Sequence, residues 1–85
     1  MNETSLAELH DRINQLDIPD LEMRRYYYPE RLVVQVPGIG WDVEVLADGT
    51  WTVDGEPAAD PEQAMEFVLD GLREYARDRE NEEEK

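Results

Sequence analysis

The sequence predicts an α+β domain of two layers, with an antiparallel meander covered on one face by two helices in the order α-β-β-β-α. Three observations carry this reading: an amphipathic stripe near the start, two apolar runs of period two separated by glycine-bearing turns, and a proline-initiated helical periodicity toward the end. A chain of 85 residues holds one small core, placed here in residues 1–80, with residues 81–85 expected to form a disordered acidic tail.

The first element is read from Ser5 to Leu16. Ser5 and Glu8 fit a capping box, and Leu6, Leu9, Ile13 and Leu16 fall on one narrow stripe. Asp17-Ile18-Pro19 ends it, because proline restricts the residue before it and donates no hydrogen bond.

The middle of the chain alternates. Leu32, Val34 and Val36, then Trp41, Val43 and Val45, then Trp51 and Val53 make an inner face, while Arg31, Gln35, Asp42, Glu44, Thr50, Thr52 and Asp54 point outward. A four-residue loop Pro37-Gly38-Ile39-Gly40 is expected to pair Val36 with Trp41, Val34 with Val43 and Leu32 with Val45. At the next turn, the loop Ala47-Asp48-Gly49, with Gly49 left-handed in a bulge, pairs Val45 with Trp51 and Val43 with Val53. A two-residue alternative would set Glu44 beside Val53. An additional edge strand is possible over 21–28, ended by Pro29.

The last helix starts at Asp60 as cap with Pro61 at the first helical position. Its apolar face is Ala64, Met65, Phe67, Val68, Leu69, Leu72, Tyr75 and Ala76. Gly71 within that face costs about 1 kcal/mol relative to alanine, which points to a close approach of the helix to the sheet or to the first helix. The pattern lapses from Arg77.

Charge decides which functions remain open. There are 22 acids against 8 bases, for a net charge of −14, with no cysteine and one histidine. Residues 70–85 carry −3 and residues 1–69 carry −11, so the acidity belongs to the folded body. A lone His10 at the polar border of the first helix has no partner for metal binding, and the spacing of Asp48, Asp54, Glu56 and Asp60 does not match a calcium loop. We therefore expect no enzyme chemistry, no metal site and no cofactor. The lack of cysteine, of a basic-then-apolar leader and of a long apolar run suits a soluble cytoplasmic protein.

Two surfaces are candidates for partner binding. Asp42, Glu44 and Asp54 form an acidic strip on the outer face, able to imitate a row of phosphates. Arg24, Arg25, Tyr26, Tyr27 and Tyr28 join cations to aromatics, the residue types enriched at interface hot spots. In a strand Tyr27 would face opposite to Tyr26 and Tyr28, so at least one tyrosine is expected to pack inside. The expected partner is a basic surface on another protein, normally one that binds nucleic acid, while direct nucleic-acid binding is disfavoured by the net charge. The alternatives are a salt-adapted interaction domain whose acidity is solvation, and a nucleic-acid or nucleotide binder using Arg24 to Tyr28.

Small size, acidity and the element order together make the chain resemble phage anti-CRISPR and other DNA-mimic proteins. The segment Gly40-Trp41-Asp42-Val43-Glu44-Val45 followed by Asp48-Gly49-Thr50 is similar to stretches in small immunity proteins of bacterial toxin systems. Both resemblances lie in layout, imply a non-enzymatic inhibitor, and assign no residue a role.

Overall fold

The computed structural model describes residues 6–27 and 30–83, the last five of them by backbone alone. Helix α1 (Leu6–Gln15) is followed by strands β1 (Glu22–Tyr26), β2 (Arg31–Val36), β3 (Ile39–Val45), β4 (Trp51–Val53) and β5 (Glu56–Pro57), and then by helix α2 (Pro61–Glu83). The strands form one antiparallel sheet in sequential order. Both helices lie on the same face, so the α+β two-layer arrangement holds and the sheet gains two strands over the three-stranded meander. One of them, β1, is the additional edge strand considered for 21–28.

Helix α1 buries Leu6, Leu9 and Ile13 completely. Its last turn tightens, with the amides of Leu16 and Asp17 donating to the carbonyls of Ile13 and Asn14 at 3.0 and 3.2 Å. Asp17 then takes a left-handed φ of 52°, which an aspartate tolerates better than most side chains. The capping box proposed for Ser5 lies outside the described residues.

The hairpin β2–β3 is two residues tighter than the sequence suggested. Val36 pairs with Ile39, Val34 with Trp41 and Leu32 with Val43, so the loop is Pro37-Gly38 alone. Proline fixes φ at the first turn position and Gly38 takes φ 92° at the second, the signature of a type II turn. Gly40 needs no such freedom and sits in the strand. Because the shift is by two, every side chain keeps the face assigned to it.

The hairpin β3–β4 has the expected register: Val45 with Trp51, Glu44 with Thr52, Val43 with Val53. The Gly49 amide donates to the Leu46 carbonyl at 2.9 Å and Gly49 has φ 90°, which is the bulged three-residue loop. Strand β5 was not foreseen. Asp54 (φ 53°) and Gly55 (φ 87°) make the two-residue turn with both φ positive that Asp-Gly favours, and they return the chain along β4.

Helix α2 starts as read. The Asp60 carboxylate accepts the Gln63 amide at 2.8 Å, and the Gln63 side-chain oxygen accepts the Ala59 amide at 2.7 Å. Ala64, Met65, Val68, Leu69 and Leu72 are buried against Leu32, Val34, Val43, Trp41 and Trp51. Phe67 corrects the sequence reading: it is 58% exposed, on the flank of the helix above Pro57 and Ala58. The helix continues past Arg77 to Glu83, three residues into the segment expected to be a disordered tail.

Candidate interaction surface

The sheet face away from the helices is organised by register. One row across it reads Tyr26, Arg31, Glu44, Thr52, Pro57, and the next reads Arg24, Val33, Asp42. Arg31 and Asp42 are diagonal neighbours on adjacent strands, and the guanidinium meets the carboxylate with two parallel hydrogen bonds, Nε to Oδ1 and Nη2 to Oδ2, each 2.8 Å. The Arg31 guanidinium also lies 5.3 Å from the centre of the Tyr26 ring. The hydrogen bond to Asp42 is the main reason the Arg31 pKa is raised, with the charge of Asp42 next, and the charge of Glu44 also contributes.

The three acids proposed as a strip therefore have different fates. Asp42 is neutralised by Arg31. Asp54 is a turn residue whose Oδ1 accepts the Asp42 amide at 3.0 Å, while its own amide donates to the Asp42 carbonyl at 2.8 Å. Neither Asp54 nor Glu44 enters an ion pair among the described residues, and Glu44 stands half-buried beside Arg31. Thr52, expected on an open outer face, is only 7% exposed, with its cross-strand neighbours Glu44 and Pro57 on either side of it.

The arginine and tyrosine segment is divided between the two faces. Arg24 and Tyr26 point outward. Arg25 points to the helix side, where it pairs with Glu30 at 2.9 Å and stands 5.2 Å from the Tyr27 ring centre. The Arg25 Nε is buried with no hydrogen-bond partner. The strand ends at Tyr26, so Tyr26 and Tyr27 are both exposed, at 43% and 63%, and neither packs into the core. Tyr28 lies outside the described residues.

A second acidic surface escaped the sequence reading. Glu62, Glu66, Asp70, Glu74 and Asp78 recur every fourth residue along α2, rising about 6 Å per step on a gentle spiral. Arg12 of α1 reaches Glu62 at 2.8 Å and Glu66 at 3.9 Å and pairs with Glu8, while Arg73 meets Asp70 at 3.1 Å and Glu66 at 3.7 Å. The hydrogen bond to Glu62 is the main cause of the raised Arg12 pKa. Farther along, Glu74 and Asp78 are exposed and enter no ion pair among the described residues. The four-residue acid spacing was visible in the sequence, but the search there followed apolar periodicity.

Among the described residues His10 bonds only Asn14, ring nitrogen to side-chain amide at 3.2 Å. Among the described residues no group of three or more His, Cys, Asp or Glu side chains is arranged to hold a metal ion, and no helix is long and apolar enough to cross a membrane. Compared with protein-family models, with curated proteins and with solved structures, the chain matches none.

Proposed function

We propose that this protein is a small acidic binding module without a reaction of its own, which occupies a basic, nucleic-acid-binding site on a partner protein in the cytoplasm and so acts as an inhibitor. The observation that carries the reading is the α2 row. It is a helical rod bearing carboxylates at even spacing, with Arg73 and Arg77 beside Glu74 and with Glu74 and Asp78 in no ion pair among the described residues, on a body of net charge −14. Such a surface steers a basic partner at long range and repels nucleic acid itself. The Asp42 side of the sheet contributes less, since Arg31 cancels its charge. Tyr26, with Arg31 beside it, offers an aromatic contact at the sheet edge.

The test is capture of a nucleic-acid-binding protein from the native host or its phage target, followed by competition with DNA or RNA. Reversing Glu74 and Asp78 to lysine should abolish capture without unfolding the domain. Reversing Asp42 is a less clean probe because it breaks the Arg31 pair. Unchanged capture by the Glu74 and Asp78 variant, or capture that polyanions do not displace, sinks the proposal. The competing reading, acidity as salt adaptation, draws on acids that recur in the loops at Asp17, Asp20 and Asp48 and on the short edge strand at Glu56.

A further inference from the structure

We propose that β1 is a self-association edge, at which two copies pair their β1 strands antiparallel about Met23 and continue the sheet through a twofold axis. The backbone directions come first. The Val45 amide donates to the Glu30 carbonyl at 2.9 Å, so even-numbered residues of β2 spend their backbone groups on β3 and odd-numbered ones on β1. Through the β1–β2 register, Glu22, Arg24 and Tyr26 are bonded to β2. The amides and carbonyls of Met23 and Arg25 are aimed at the open side of the sheet, which ends at β1. The opposite edge is blunted, because β5 is two residues long and includes Pro57, which has no amide to donate.

Charge selects the second copy as occupant. Residues 21–36 contain Arg24, Arg25 and Arg31 against Glu22 and Glu30, a local +1 that leaves −15 on the remainder. Two acid-coated molecules therefore repel least at this edge. Among twofold registers centred from Leu21 to Arg25, one also satisfies the side chains. Centred on Glu22 the pairing sets two glutamates face to face. Centred on Arg24 or Arg25 it sets two arginines face to face, and centred on Leu21 it sets Glu22 opposite Asp20. Centred on Met23 it places Glu22 opposite Arg24 of the other copy, twice, in a pair without backbone bonds, where side chains approach closest. Met23, half-buried on the helix side and packed on the core, then meets its own counterpart.

The test is the mass of the full chain by sedimentation equilibrium across concentration and salt. Because the long-range repulsion of two −14 bodies is screened beyond roughly 8 Å at physiological ionic strength, association should tighten as salt rises. Arg24→Glu and Glu22→Arg singly should each weaken association about tenfold, and the double swap should restore it. Arg24 and Glu22 are exposed, so circular dichroism should show all three variants folded. A wild-type monomer at every salt concentration overturns the proposal, as does a single variant without effect or a double swap that fails to restore pairing.

Discussion

Gly71 of α2 lies directly over the indole of Trp41 on β3: a methyl group at position 71 would stand 2.4 Å from Cζ2 and 3.1 Å from Cε2. Trp41 is 5% exposed and held between the helix and the sheet. The helix approaches the sheet this closely because position 71 has no side chain.

Gly71→Ala sets two effects against each other. Helix propensity favours alanine by about 1 kcal/mol, while forcing a methyl into a filled core costs about 1 to 3 kcal/mol. With the ring wedged in place, the expected outcome of urea unfolding is a net loss of stability. Trp41→Phe removes the indole atoms that would clash, so the double variant should lose less than the sum of the two singles. A Gly71→Ala protein more stable than wild type would show that the ring moves aside freely.

Trp51 and Thr52 test the face assignment. Trp51 is 4% exposed on the helix side, and Trp51→Ala should cost about 3 to 5 kcal/mol by equilibrium unfolding. Thr52 is nearly as buried, but on the face without helices, beneath its strand neighbours. Thr52→Val keeps its β-branching and exchanges one hydroxyl for a methyl group on the face without helices, and should leave stability within about 1 kcal/mol of wild type. Comparable losses at both positions would mean the outer face is covered more heavily than the register implies.

How far the sequence carried this structure can be argued turn by turn. Ala47-Asp48-Gly49 was legible because side-chain alternation on both flanking strands rejected the shorter loop. Pro37-Gly38 was misread because the two-residue loop keeps the same residues inside as the four-residue loop expected, so alternation could not reveal the difference. Only the proline-glycine order, which fits a type II turn, could have done so. Asp54-Gly55 carried a strong hairpin signal, but the strand after it is two residues long and shows no alternation. The acidic strip failed as a set of free carboxylates for another reason. The diagonal pairing of Arg31 with Asp42 follows from the β2–β3 register, the feature read two residues off.

Asp48 gives a pH-dependent reporter of the β3–β4 loop. Its carboxylate accepts the Thr50 amide at 2.9 Å, and this bond, with a further one to the Thr50 side chain, holds its pKa below the ordinary 3.8. A carboxyl group with a depressed folded pKa contributes stability that is fully present above its unfolded value and is lost as pH falls through the folded value. Carboxyl carbon titration by NMR should therefore place Asp48 below 3.8. Thr50→Val, which keeps the amide, should retain part of the depression, and Thr50→Pro should remove it. An Asp48 midpoint at or above the ordinary value would mean the loop bond does not persist in solution.

Salt distinguishes a binding surface from a salt-adapted one. The densest acids on the helices are braced: Arg12 ties α1 to Glu62 and Glu66 of α2, and Arg73 offsets Glu66 and Asp70. That bracing, with a continuous core from Leu6 to Leu72, should keep the domain folded at about 0.1 M salt, where repulsion beyond roughly 10 Å is already screened. The expected thermal melt there is cooperative, and added KCl should raise its midpoint only modestly. Arg12→Ala removes the brace and should steepen that salt dependence, because Glu8 and Glu62 then lose their counter-ion and Glu66 keeps only Arg73. A wild-type chain that is unfolded in dilute buffer and gains order only in molar KCl would assign the acidity to solvation and remove the electrostatic argument for a basic partner.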